Sequence, residues 1–126
     1  MPKVNRVMIV DNSEMDIKVI KAILKDLPIE THAYTDPESA LENLSNIAPE
    51  VIFLNYFMPE MTGATFMIKM SERLLTQSNW QVFLITGKKF SDDEKISMKT
   101  LGIAEIFEKP LNESLILDAI EKINSL

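Results

Sequence analysis

Along this chain the apolar positions switch repeatedly between two periods. Val4–Val10 is a short, mostly apolar run that predicts a strand and ends at Asp11-Asn12-Ser13. From Ser13 the spacing becomes helical. Ile17, Ile20, Ile23, Leu24 and Leu27 share one face, Lys18, Lys21 and Lys25 lie opposite, and Pro28 ends the helix. Glu30–Tyr34 reads as a second strand. Thr35-Asp36-Pro37-Glu38 opens a helix, with Glu38 three residues after Thr35 and Pro37 in the first turn. Its apolar stripe is Ala40, Leu41, Leu44 and Ile47. Val51–Leu54 is wholly apolar and too short for a helix, as expected of a strand buried on both faces. After Met58-Pro59 and Gly63 a helix carries Phe66, Met67, Met70 and Leu74. Val82–Ile85 is a second wholly apolar strand, ending at Thr86-Gly87. Ser91 and Glu94 form a capping box for the next helix, which Gly102 closes. Ile103–Phe107 is a fifth strand, ended by Lys109-Pro110, and Asn112 caps a last helix bearing Ile116, Ala119, Ile120 and Ile123.

Five β/α units with wholly apolar central strands imply a parallel sheet covered by helices on both faces. The 126 residues suit one domain, read here as 1–126. With 46% hydrophobic and 25% charged residues, and a mean hydropathy of +0.03, the composition is that of a packed globule. No apolar run approaches a membrane span, and the opening MPKVNRV does not read as a signal peptide. The absence of Cys removes disulfides, thiolate zinc sites and thiol nucleophiles, and suits a cytoplasmic location. A net charge of −6 argues against nucleic acid as a partner, because phosphate contacts need clustered Lys and Arg.

In parallel sheets of this kind the working site lies at the carboxyl ends of the strands. The polar residues there are Asp11 and Asn12 after the first apolar run, Asn55 after the third, Thr86 after the fourth and Lys109 after the fifth. Four stretches carry them in order: Ile9-Val10-Asp11-Asn12, Val51 to Gly63, Leu84-Ile85-Thr86-Gly87, and Phe107-Glu108-Lys109-Pro110. Together they resemble the receiver domains of response regulators, the CheY-like family of two-component (phosphorelay) signalling. The resemblance implies an α/β, flavodoxin-like, doubly wound fold: a five-stranded parallel sheet of order 2-1-3-4-5 with five helices. It also implies a mechanism in which an Asp ending the third strand takes a phosphoryl group from a kinase histidine. An acidic pair after the first strand helps to hold Mg²⁺, and a Thr or Ser and a Lys contact the phosphoryl oxygens. The corresponding positions are Asn55 for the phosphoacceptor, Thr86 and Lys109 for phosphoryl contact, and Asp11, Asn12, Asn55 and Phe57 for the metal.

Two of these positions and one other depart from the family pattern. Asn55 replaces the acceptor, and a neutral carboxamide is a poor nucleophile. Asn12 replaces one acid of the pair. Asp11 alone then faces Lys109, for a formal sum of zero, so magnesium binding is expected to be weak or absent. Ile106 stands where the family often has an aromatic switch residue three positions before the Lys, and Phe107 points the other way by strand alternation. These losses lead to the reading of a non-catalytic pseudo-receiver acting by protein–protein contact, with a histidine kinase or another signalling protein as partner. An ordinary magnesium-dependent receiver whose acceptor Asp has been exchanged for Asn55 is the alternative, and a small flavodoxin-like enzyme is a third.

Simpler roles stand beside these. Asp11 could cap the first helix, Asn12 could bond loop amides, and a Lys109–Asp11 ion pair would satisfy both groups without a ligand. His32, the sole histidine, lies in a strand-like segment and reads as a solvent-facing strand residue. Phe90, Met98 and Ile106 are candidates for an output face made by the fourth helix, fifth strand and fifth helix, where a partner or a second copy would dock. Lys88, Lys89, Lys95 and Lys99 give that edge a basic bias.

Overall fold

The computed structural model describes residues 3–73 and 80–126. In chain order these form β1 (Arg6–Val10), α1 (Glu14–Leu24), β2 (Glu30–Tyr34), α2 (Pro37–Ile47), β3 (Val51–Asn55), α3 (Gly63–Arg73), β4 (Gln81–Thr86), α4 (Asp92–Thr100), β5 (Ile103–Glu108) and α5 (Glu113–Asn124). The strands make one sheet of order β2-β1-β3-β4-β5, with every neighbouring pair parallel. This is the order implied by the sequence resemblance.

Strand alternation sorts the core into two layers. Val7, Ile9, Val51, Phe53, Phe83 and Phe107 face α1 and α5, packing on Ile17, Ile20, Leu24, Ile116, Ile120 and Ile123. Met8, Val10, Ile52, Leu54 and Leu84 face the other way, against Leu41 and Leu44 of α2, Phe66 and Met70 of α3, and Met98 of α4. Every residue of β3 is buried, which is why its sequence carries no alternation. The edge strand β2 is only half-buried along most of its length. His32 lies in it, half-buried rather than solvent-facing, with Nε2 3.1 Å from Glu30 Oε1.

Local signals placed most boundaries, with instructive differences. Asp36, not Thr35, caps α2: its carboxylate accepts from the Glu38 N–H, and Pro37 sits in the first turn. Pro at the first helical position makes the residue before it the cap, and that overrides the Thr35–Glu38 spacing. The full Ser91–Glu94 capping box is present at α4. The first strand begins at Arg6; Val4 is buried but gives its N–H to Asn124 Oδ1 at the end of α5. Gly102, at φ +109°, makes the turn after α4 that a residue with a Cβ would resist. Leu74, assigned to the α3 stripe from sequence, lies outside the described residues.

The chain runs from β1 outward to β2 and then returns through α2 to β3 on the other side of β1. The resulting crevice opens at the carboxyl ends of β1 and β3, where Asp11 and Asn55 lie.

Candidate functional site

Asp11 follows β1 and is buried to 1% exposure. Its Oδ1 accepts from the Ser13 N–H at 2.9 Å, closing the turn that leads into α1. Its Oδ2 is buried without a hydrogen bond and lies 3.6 Å from Lys109 Nζ. Burial raises the Asp11 pKa; the Ser13 N–H and Lys109 oppose this, and Asp16 adds to it.

Asp16 is a residue the sequence reading missed. It stands in the first turn of α1, and its Oδ2 is 2.7 Å from Lys109 Nζ, closer than Asp11. Lys109 therefore balances two carboxylates, and the formal charge of the group is −1 rather than the zero expected from Asp11 alone. In sequence, Asp16 reads as an ordinary acid stabilising a helix N-terminus. Only the packing of α1 beside the end of β5 turns it toward Lys109.

Asn55 ends β3 at 6% exposure, and its carboxamide is engaged on both sides. Nδ2 donates to the Phe57 carbonyl at 2.7 Å and to Asn12 Oδ1 at 3.1 Å. Oδ1 accepts from Lys109 Nζ at 3.3 Å. Lys109 has only hydrogens to offer and the Phe57 carbonyl only lone pairs, so these partners fix the orientation of the amide. The β3–α3 loop holds this geometry tightly. Gly63 donates its N–H to the Tyr56 carbonyl at 2.8 Å, and a Cβ there would come within 2.9 Å of Leu84 Cδ1 and 3.3 Å of Tyr56 Cα.

Thr86 and Lys109 are joined through their backbones, the Lys109 N–H donating to the Thr86 carbonyl at 2.8 Å. The Thr86 hydroxyl, however, is turned into its own loop. It accepts from the Lys88 N–H at 3.0 Å and donates to the Lys88 carbonyl at 3.1 Å. Edge-to-face contact between Tyr56 and Phe90, with ring centroids 5.0 Å apart, ties the Asn55 loop to the segment before α4. Lys88 reinforces that segment through a 2.7 Å pair with Glu94, which together with the Ser91 N–H holds the Glu94 carboxyl down at about 2. The Lys109–Pro110 bond is cis.

Asp11, Asn12, Asn55, the Phe57 carbonyl and Lys109 thus form one cluster, which Asp16 completes. The output-face candidates divide differently. Phe90 and Met98 are 4% and 8% exposed, packed inward, and offer no apolar surface. Ile106 is partly buried and lines a groove of about 480 Å³ beside Lys89, Lys95, Lys109 and Leu115. Exposed apolar side chains on this flank are instead Ile96 on α4, Leu101 just after it, and Leu115 on α5.

Comparison with known proteins identifies the family and the fold. Residues 7–121 match the family model described as the response regulator receiver domain. The chain belongs to the response regulator receiver family. Curated relatives include a protein-glutamate methylesterase/protein-glutamine glutaminase of Leptospira interrogans, 34% identical over 83% of this chain and 30% of its own. Another bearing that description, from Pseudomonas syringae pv. tomato, is 42% identical over 95% of this chain and 34% of its own. The receiver therefore spans about a third of the length of such relatives. Among solved structures, the chemotaxis protein CheY4 of Vibrio cholerae superposes with a TM-score of 0.83 at 22% identity, over 95% of this chain and 98% of that one. A CheY-like receiver domain protein from Methanospirillum hungatei gives 0.81 at 20% identity, over 98% and 96%. These two show a shared fold. No helix among the described residues is long and apolar enough to cross a membrane.

Magnesium, which the family implies, does not suit the oxygens present. Asp11 Oδ2 lacks a hydrogen bond, but Asn12 Oδ1 and the Phe57 carbonyl both accept from Asn55 Nδ2, and the two carboxylates share Lys109. Among the described residues no group of three or more His, Cys, Asp or Glu could hold a metal ion. A small, strongly hydrated dication needs carboxylates to offset its dehydration.

One prediction follows from Asp11. Its pKa is raised above 3.8, so its charge costs nothing below that value, and the cost grows as pH rises through the raised pKa. Asp11→Asn keeps an oxygen for the Ser13 N–H and leaves Lys109 its Asp16 partner, at the cost of an NH₂ group facing Lys109 Nζ. That cost is independent of pH, so the melting temperature of the variant relative to wild type should rise as pH goes from about 4 to 7. Thermal melts across this range check it.

Proposed function

We propose that this receiver takes part in two-component signalling without accepting a phosphoryl group, acting in the cytoplasm by binding other proteins. One observation carries the reading. At the end of β3, where the family mechanism needs an anionic nucleophile, stands a neutral carboxamide whose N–H and C=O groups are hydrogen-bonded to Asn12, Phe57 and Lys109. Amide nitrogen lone pairs are delocalised, and the amide oxygen is a weak nucleophile already facing a cation. The Thr86 hydroxyl, engaged with Lys88, supports the same reading. With no acceptor and no catalytic group assigned, the receiver itself is read as non-enzymatic. Methylesterase and glutaminase activities are named for proteins of which this receiver matches about a third. The partner is a histidine kinase or another signalling protein, and the flank around Ile106 and Leu115 is the proposed contact or dimerisation face.

The acceptor reading is tested by incubating the protein with acetyl phosphate and MgCl₂ and measuring the intact mass. No adduct is expected. A stoichiometric gain of about 80 Da, the mass of one phosphoryl group, would refute the reading in favour of a working receiver.

A further inference from the structure

Resting on that reading and deepening it, we infer that the carboxamide nitrogen of Asn55 does in this chain the work of a bound cation, so that the atom at position 55 sets the metal response of the pocket. Two oxygens from separate loops converge on this nitrogen, Asn12 Oδ1 at 3.1 Å and the Phe57 carbonyl at 2.7 Å. Two oxygens drawn onto one point repel each other unless a donor or a cation stands between them. The two N–H groups of Asn55 are that donor, and Lys109 on the opposite oxygen holds the amide in the required orientation. The donor residue is 6% exposed, although Asn12 and Phe57 on the accepting side are exposed.

A carboxylate at position 55 would reverse the pattern. The bond to the Phe57 carbonyl would become an oxygen–oxygen contact, and Asn12 would have to turn its amide over to avoid a second; a divalent cation placed among these oxygens would relieve both. The formal charge of the Asp11, Asp16 and Lys109 group is −1, and a single added carboxylate takes it to −2 wherever it is added. Charge counting and amide blocking therefore make different forecasts for two variants of equal charge. If charge alone decides, Asn55→Asp and Asn12→Asp gain magnesium affinity alike. If the amide decides, only Asn55→Asp gains it, because Asn12→Asp merely gives Asn55 Nδ2 a stronger acceptor.

The experiment titrates MgCl₂ alone into the full chain and both variants by calorimetry, with thermal melts in EDTA and at about 10 mM MgCl₂. Expected is no response from the wild type or Asn12→Asp. Asn55→Asp should melt lower than wild type in EDTA, regain much of the loss with magnesium, and bind the ion at least about tenfold more tightly than Asn12→Asp. If Asn55→Asp does not fold without metal, Asn12→Asp combined with Asn55→Ala keeps the added carboxylate and deletes the N–H donors. That pair should bind at least about tenfold more tightly than Asn12→Asp alone. Magnesium binding by the wild type or by Asn12→Asp as tight as by these variants overturns the inference. Failure of the underlying reading looks different: it is a phosphoryl adduct on the wild type.

Discussion

Phe53→Ala is expected to lower the unfolding free energy by about 3–5 kcal/mol. Phe53 is fully buried at the middle of the central strand, paired in register with Ile9 of β1 and Phe83 of β4. Its ring meets Phe83 edge-to-face at 5.4 Å, and Phe83 meets Phe107 at 5.5 Å, so an aromatic row crosses β3, β4 and β5 beneath α1 and α5. Deletion of the ring removes one end of that row and opens a cavity in a layer braced by the sheet and two helices. Collapse is resisted there, so the cost should fall in the upper part of the range for large-to-small substitutions. Domains of this size are stable by roughly 5–15 kcal/mol, and a loss of 3–5 kcal/mol lowers the melting temperature by roughly 10–25 °C. Urea unfolding measures the loss directly. A change under about 1 kcal/mol would contradict the described packing.

Lys109→Met is expected to produce the largest loss among changes at the site. Lys109 Nζ lies 2.7 Å from Asp16 Oδ2, 3.3 Å from Asn55 Oδ1 and 3.6 Å from Asp11 Oδ2. Its removal leaves two carboxylates facing each other, one of them fully buried, with no cation between them. Breaking a fully buried pair costs 3–5 kcal/mol, but a quarter of the Lys109 and a third of the Asp16 side chain are exposed. Solvent screening reduces the expected cost to about 1–3 kcal/mol at pH 7. The pH dependence identifies the cause. Lys109 is among the groups that hold the Asp11 pKa down, so without it the folded state takes up that proton at higher pH. The deficit should therefore shrink as pH falls from 7 toward about 4. A deficit equal at both ends of that range would show lost packing of the Lys109 stem instead.

Much of the fold was legible because its strongest signals are local. Val51–Leu54 and Val82–Ile85 are apolar at every position, which only burial on both faces of a parallel strand explains. The helix starts at Ser91 and Asn112 carried caps that form as read. Where two local signals competed, at Thr35 and Asp36, the constraint imposed by Pro37 won. The polar strand ends pointed to the right crevice, because strand order alone places Asp11 and Asn55 together.

The remainder of the site depended on relations that sequence does not encode locally. Asp16 carries the unremarkable signature of a helix N-terminus, and its role arises from a partner 93 positions away. Phe57 enters through the family resemblance alone, because what it contributes is a backbone carbonyl with no side-chain signature. Phe90, a candidate for the output face, is buried against Tyr56. Met98 looked eligible for the output flank, but it is the only buried residue of α4 and therefore anchors that helix to the core. The exposed apolar residues of that flank, Ile96 and Leu115, lie where helical rotation turns them outward.

The most direct test of a receiver closed to phosphoryl chemistry is its response to a mimic that needs only the acceptor and the cation. Beryllofluoride with MgCl₂, added to the ¹⁵N-labelled protein, reports on every backbone amide and on the Asn55 side-chain NH₂ at once. The expected spectrum is unchanged at Asp11, Asn55, Thr86, Lys88 and Lys109, with the Asn55 side-chain signals still in place. Saturable shifts at Asn55, Thr86 and Lys109 that require both magnesium and beryllofluoride would contradict it.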